Sequence, residues 1–186
     1  MSSKGVILES DITELRVEIF MGLVETVKRL AGYKAWANEI TFSTVKSLPE
    51  GEATKERKTR YKNMIYTLNH VYVIDCIFKA HLENQPHPYT ARNTENYPPL
   101  EELWEAVKII DQWYIDYAHS ISEKELVEIV NFQFVDGGEG AMSRSDMILH
   151  VVNHGTYHRG LVSDMMYQVP AVPPANDLTV YLRDVI

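Results

Sequence analysis

Apolar residues recur with the spacing of an α-helix in four long segments of the chain, and the alternation typical of β-strands is scarce. Stretches rich in proline and glycine, such as "SLPEGE" and "VPAVPP", end two of these segments. The predicted helices run within about 11–47, over about 58–83, from about 100 to 120 and from about 143 to 168. The pattern therefore predicts an all-α protein.

A segment between the third and fourth helices has a different pattern. In "LVEIVNFQFVDGGEGAMS", β-branched and aromatic residues flank a glycine-rich turn, which indicates a small β-hairpin. The connections near 84–98 and 121–142 are long enough to cross one end of a helix bundle. We therefore expect a single domain over residues 1–186, built as a four-helix bundle with one hairpin and a short helix or strand at the end of the chain.

Composition and charge argue against several classes of partner. A hydrophobic content of 45% and a charged content of 24% are ordinary for a soluble globular protein. No apolar run approaches the roughly 20 residues of a membrane span, and the first residues lack the features of a signal peptide, so we expect a cytoplasmic protein without a membrane partner. The net charge of −8 argues against nucleic-acid binding, and the one basic cluster, at 55–62, is typical of a solvated helix start or loop.

Three of the seven histidines lie four residues apart on the fourth predicted helix, at positions 150, 154 and 158. Residues four apart are neighbours on one helix face, whereas residues eight apart are separated by about 12 Å. His150 and His158 therefore cannot share one ion, and the stretch offers one chelating pair. On the helical wheel the apolar stripe centres near His154 and His158, which places His150 at its rim.

A further histidine, His70, lies on an apolar stripe of the second helix with Thr67, Ile74 and Ile77. Burying an unsatisfied polar group costs about 1–3 kcal/mol, and a metal ion shared between facing helices would satisfy all three imidazoles. Three neutral histidines leave coordination positions open, which is typical of a catalytic metal site. The alternative is that these histidines are ordinary core residues with hydrogen-bond partners.

The remaining candidate ligands have simpler interpretations. We expect His81, His87 and His119 to be surface or loop residues. Asp75 lies off the His70 stripe and suits a salt bridge or a helix cap. The single cysteine, Cys76, excludes a disulfide within the chain and suits a small buried apolar position.

Four segments, in this order along the chain, resemble the DinB family of the DinB/YfiT-like superfamily. They are "GYKAWANE" (32–39), "TLNHVYVIDCIF" (67–78), "LHVVNHGTYHRG" (149–160) and "PPANDLTVYLRD" (173–184). The resemblance implies a four-helix bundle with up-down-down-up connectivity, often a homodimer. It also implies one divalent metal ion, nickel or zinc before manganese or iron, held by His70, His154 and His158.

The resemblance also implies a class of reaction. Related members are thiol-dependent S-transferases or isomerases, so the implied substrate is a small molecule used with a low-molecular-weight thiol. Two positions depart from the family pattern: Leu161 follows Gly160 where glutamine is common, and Phe78 stands where tryptophan is common. Both changes concern packing or pocket lining rather than the three ligands.

Three other functions stay open from the sequence. The chain can be a metal- or small-ligand-binding bundle without catalysis, a metal-dependent hydrolase, or a plain helical scaffold. Gly155 follows His154 where the HExxH motif of zinc proteases has its catalytic glutamate, so that class of hydrolase is excluded.

No general base is identifiable from the sequence. The aromatic residues Tyr33, Trp36 and Tyr157 are candidates for the pocket lining, although packing roles are commoner for such residues. Glu139, in the hairpin turn, suits a solvated carboxylate better than a catalytic base. Arg159 suits a structural ion pair or an interface better than substrate binding.

Overall fold

The computed structural model describes residues 9–169 and 171–186, with side chains from residue 22 onward. It is mostly helical, with six helices and one two-stranded antiparallel sheet in this part of the chain. The elements are α1 (Glu9–Lys46), α2 (Met64–Leu82), α3 (Leu100–Ser120), α4 (Glu123–Leu126), β1 (Ile129–Gln133), β2 (Glu139–Ser143), α5 (Arg144–Tyr167) and α6 (Leu178–Asp184).

The predicted second helix starts too early. It begins at Met64 rather than near residue 58, because Asn63 is its N-cap and accepts a hydrogen bond from the backbone N–H of Tyr66 at 2.8 Å. The basic residues 55–62 therefore form a loop before α2, which is one of the two interpretations that their composition allowed. This loop lies beside the histidines described below.

The start of α5 is set by Ser143. Its hydroxyl accepts a hydrogen bond from the backbone N–H of Asp146 at 3.1 Å, as an N-cap residue does. The Asp146 carboxylate in turn accepts from the Ser143 hydroxyl at 2.6 Å. This cap fixes where the helix carrying three histidines begins.

The predicted hairpin is present and packs on the C-terminal half of α2. Its turn contains Gly137 at φ +90°, a conformation that favours glycine. Gly140 lies opposite Phe132, and a β-carbon at Gly140 would come within 2.5 Å of the Phe132 ring. The missing side chain lets this ring lie against His81, with the ring centroids 4.6 Å apart. The hairpin therefore stands over one end of α2.

The four long helices contact one another pairwise. α1 packs against α3 and α5, and α2 packs against the same two helices. Asn38 pairs with Asp111 and Lys46 with Glu101, so α1 and α3 run antiparallel. The last helix, α6, places Tyr181 against the rings of Tyr33 and Trp36 in α1, with centroids 5.9 and 5.5 Å apart.

A charged group lies inside this helical interior. The side chain of Lys34 in α1 is 1% exposed and pairs with Asp75 of α2 at 2.7 Å and with Asp111 of α3. Burial by itself would lower the pKa of Lys34, but the two carboxylates outweigh it and raise that pKa above its ordinary value. The salt-bridge role expected for Asp75 is thus confirmed, whereas Lys34 had no sequence signal.

Arg159 extends this polar layer to α5. Its guanidinium is buried and donates hydrogen bonds to the Asn38 side-chain oxygen and to the Thr156 hydroxyl, both at 3.0 Å. The expected structural role is present, but no carboxylate of a described residue pairs with Arg159, so the contact is not an ion pair. Asn38 bonds to both Asp111 and Arg159 and so connects the two halves of the layer.

None of the helices within 9–169 and 171–186 combines the length and the apolar character needed to cross a bilayer.

Replacing Lys34 by methionine should destabilise the protein by about 3–5 kcal/mol, because Asp75 and Asp111 would be left buried without their cation. Denaturant unfolding at pH 7 measures this change. The matched control is Lys46→Met, which removes a pair whose side chains are 62% and 60% exposed and should cost less than about 1 kcal/mol. Equal costs for the two variants would contradict a structural role of the buried pair.

Candidate metal centre

Three histidines from two helices meet in the interior. His70 of α2 faces His154 and His158 of α5, and one ring nitrogen of each lies within 4.8 Å of the others. The Nε2 atoms of His70 and His154 are 3.1 Å apart. The sequence predicted these three residues as ligands, and the structure brings them together; that they bind a metal stays a prediction.

The separation of the His70 and His154 nitrogens fits a single divalent ion. Two imidazole nitrogens at about 2.1 Å from one ion, with an angle of 90–109° between them, lie about 3.0–3.4 Å apart. The separation of 3.1 Å between His70 and His154 falls in this range. The ring centroid of His158 lies 4.6 Å from that of His70 and 4.4 Å from that of His154, so its ring is equally close.

The tautomer of His70 is set by a backbone contact. Its Nδ1 lies 2.5 Å from the carbonyl oxygen of Arg92, and because a carbonyl only accepts, Nδ1 carries the proton. The Nε2 atom of neutral His70 therefore presents a lone pair toward the other two histidines. Metal-binding histidines in proteins are usually oriented by such a bond from the second ring nitrogen.

The segment that supplies this carbonyl, residues 92–94, is held on α2 by a buried asparagine. Asn69 donates hydrogen bonds to the side-chain oxygens of Asn93 and Thr94, the second at 2.8 Å. The amide of Asn93 donates to the backbone carbonyl of Tyr66 at 3.0 Å. Asn69 thus fixes the position of the segment whose carbonyl orients its neighbour His70.

Electrostatics keeps the three imidazoles in the form that binds metals. Burial lowers the pKa of His70, and it lowers the pKa of His158 to about 4. Burial, together with the neighbouring imidazoles, lowers the pKa of His154 to about 2. All three are therefore neutral at pH 7 without a proton to displace.

The interpretation as ordinary core histidines has one pairing in its favour, because the Nε2 atoms of His70 and His154 are within hydrogen-bond distance. The Nδ1 atoms of His154 and His158 are buried and have no hydrogen-bond partner among the described residues. Buried ring nitrogens usually have a partner both in core histidines and in histidines that bind a metal through the other nitrogen, so these two atoms do not separate the two interpretations.

The other histidines separate into three environments. His150 packs between the rings of Phe78 and His154, at 4.5 and 5.6 Å, and flanks the three central histidines as predicted. His81 is buried under the hairpin, so the expectation that it lies on the surface was wrong. That expectation failed because the hairpin covers this end of α2. His87 lies partly buried in the loop after α2, and His119 is exposed near the end of α3.

The three histidines line a cleft of about 720 Å³. Tyr61, from the loop before α2, lies over two of them, with its ring centroid 5.1 Å from that of His70 and 4.7 Å from that of His158. Tyr157 also lines the cleft, as expected. A cleft of this size suits a small molecule.

The sequence missed the residues that connecting segments contribute to the cleft. These are Arg60 and Tyr61 from the loop before α2, Ala91, Arg92 and Asn93 from the connection to α3, and Phe134 and Met142 from the hairpin. Loop residues carry no periodic signal, so only the fold brings them to the histidines. Tyr33 and Trp36 do not line this cleft and pack against α6 instead. The carboxylate of Glu139 is exposed and also lies outside the cleft lining.

The described part of the chain is mostly helical, and three of its histidines converge at a cleft with ring nitrogens close enough to hold one metal ion. The sequence pattern of the DinB family matches residues 23–184, and the chain belongs to this family. Protein DinB of Bacillus subtilis (strain 168) is 26% identical over 160 residues, which cover 83% of this chain and 92% of that protein. The crystal structure of a DinB-like protein from Bacillus cereus ATCC 10987 has a similar fold, with a TM-score of 0.58 and 16% identity over 75% of this chain and 89% of that one.

Replacing Asn69 by alanine should weaken metal binding about 10- to 100-fold without removing a ligand, because the carbonyl that orients His70 loses its support. Competition of the metal-loaded protein against a chelator measures the affinity, and thermal unfolding of the metal-free protein measures stability separately. The control is Asn153→Ala, an exposed asparagine beside His154. Equal metal affinities of the two variants would argue against the orienting role.

Proposed function

We propose that this protein is a metal-dependent enzyme that transfers a low-molecular-weight thiol to a small electrophilic substrate. One divalent ion, nickel or zinc before manganese or iron, would be held by His70, His154 and His158. The observation that carries this proposal is that three neutral imidazoles from facing helices converge at the wall of an open cleft. The family membership supports it, since the DinB family is metal-associated.

Three protein ligands leave coordination positions free for a substrate atom, which distinguishes catalytic from structural metal sites. When bound, the ion would supply Lewis acidity and lower the pKa of a coordinated thiol or water. The chain itself supplies the neutral donors, the orientation of His70 through Arg92, and a cleft partly covered by Tyr61. A reacting group is thereby held against the histidines.

The lining of the cleft favours thiol transfer over hydrolysis. No aspartate or glutamate of the described residues lines it. A carboxylate base for an attacking water is therefore missing from the described lining, and a hydrolase at this cleft would depend on a histidine as its general base. A thiol, with an ordinary pKa near 8.5, is deprotonated far more easily than water and needs no such residue. His150 lines the cleft beside His154 and can take the thiol proton at a ring nitrogen.

We also infer that α1, α2, α3 and α5 form a four-helix bundle with up-down-down-up connectivity. Support comes from the pairing of residues between helices. Phe78 lies by His150 and His70 by His158, as expected for an antiparallel α2 and α5. The antiparallel pairing of α1 with α3 is the other pair that this connectivity requires.

Elemental analysis of tag-free protein tests the metal site. We expect close to one divalent ion per chain in the wild type, and its loss in His70→Ala, His154→Ala and His158→Ala. The matched control is His150→Ala, which removes a histidine one turn from His154 and should keep the metal. Wild-type protein that stays metal-free after reconstitution with nickel, zinc, manganese and iron would refute the proposal.

Turnover separates an enzyme from a non-catalytic metal-binding protein. Metal-loaded protein should consume a thiol and an electrophile together, and the three metal-free variants should lose at least about 100-fold in rate, since a metal ion contributes several kcal/mol to transition-state stabilisation. Stoichiometric metal with no thiol consumption across a broad electrophile screen would instead favour a binding protein. Hydrolysis without thiol would favour the metal-dependent hydrolase.

A further inference from the structure

We propose that the cleft binds an amphipathic organic anion, whose anionic group is held by Arg60 and Arg92 and whose apolar part lies toward Phe78, Phe134 and Met142. This inference rests on the proposed function in that it names the class of substrate for the same cleft. The observations that carry it are the charge and the polarity of the cleft wall.

The charge of the cleft is opposite to that of the protein. The chain has 26 acidic and 18 basic residues, with a net charge of −8. No acidic side chain of the described residues lines the cleft, whereas Arg60 and Arg92 both do. The histidines contribute no negative charge, so a divalent ion bound there would add to the positive field. A concave surface of one sign attracts ligands of the other sign.

The two arginines are available for a ligand. Arg60 is exposed and forms no ion pair with a carboxylate of residues 22–169 or 171–186. Arg92 pairs with Asp136 in the hairpin turn at 2.9 Å, but both side chains are about 60% exposed. An exposed pair of this kind is worth little, so an anion in the cleft can replace Asp136. Guanidinium groups suit carboxylate, sulfonate and phosphate oxygens because they donate two parallel hydrogen bonds.

Other lining residues of the cleft are apolar. On α2, Ile74 and Phe78 follow His70 at intervals of four residues, so they line the cleft for about 12 Å beyond the histidine. Phe134 and Met142 of the hairpin add to this wall. The proposed ligand therefore combines an anionic group with an apolar body.

Binding of three probes that share an apolar body tests the inference. The probes are 4-phenylbutane-1-sulfonate, the neutral 4-phenylbutan-1-ol and the cationic 4-phenylbutan-1-ammonium, titrated by calorimetry or NMR. Sulfonate is a poor metal ligand, and each titration is done with metal-free and with zinc-loaded protein. We expect the sulfonate to bind at least about tenfold more tightly than the alcohol, the scale of one charge-assisted hydrogen bond, and the cation to bind most weakly.

Single substitutions locate the anionic group. Arg60→Met and Arg92→Met should each weaken sulfonate binding about three- to tenfold and leave alcohol binding unchanged, which also reports that the cleft is intact. The control Arg183→Met removes an exposed arginine of α6 outside the cleft and should change neither affinity. Asp136→Asn should strengthen sulfonate binding about 1.5- to 5-fold, because it frees Arg92.

Several outcomes would overturn the inference. These are equal affinities for sulfonate and alcohol, sulfonate binding that survives both arginine substitutions, and no binding of any probe up to about 10 mM. Metal content is measured on the same samples. If the wild type binds no metal but still prefers the sulfonate, the proposed metal-dependent enzyme is refuted and the anion site is supported. If the wild type binds metal but shows no preference for the sulfonate, the anion site is refuted and the metal site is supported.

Discussion

The structure depends on one buried ammonium group. Lys34 lies in the interior between carboxylates of α2 and α3, and a buried charge that loses its partners is strongly destabilising. The helices cannot slide past one another without separating this group from Asp75 or Asp111. Asn38 hydrogen-bonds to both Asp111 and Arg159, so α5 is held in place by the same polar layer. Asp75 lies five residues after His70, and Arg159 directly follows His158, so the same layer sets the register of the helices that carry the ligands.

The register of the helices alone does not make the histidines able to bind a metal. An imidazole binds only when the facing nitrogen has a free lone pair, and for His70 this is decided by the Arg92 carbonyl. That carbonyl belongs to a connecting segment that hydrogen bonds hold on α2. Asn69 supplies two of them, one residue before the ligand that it helps to orient. The orientation of His70 thus depends both on α2 and on the connecting segment at residues 92–94.

The cleft joins the proposed chemistry to the proposed substrate. No carboxylate of the described residues lines it, so Arg60 and Arg92 are its charged side chains. This favours a substrate that brings its own acidic group, whether a thiol, a carboxylate or a phosphate. The hairpin forms part of the cleft wall. Because Gly140 has no side chain, the Phe132 ring can pack on His81, and this contact holds the apolar residues of the hairpin over α2.

The sequence by itself determined the helical class, the hairpin, and the inward positions of His70, His154 and His158, but not that of His81. These follow from periodicity, since the wheel places His154 and His158 within the apolar stripe and His150 at its rim. It did not determine the start of α2, because the cap at Asn63 follows a basic loop whose composition also suits a helix. It did not reveal Lys34, since a lysine is buried only when partners distant in sequence neutralise it. Nor did it place Tyr61, Arg60 or Arg92 at the cleft. Connecting segments have no repeating pattern, and their positions depend on contacts that only the folded chain makes.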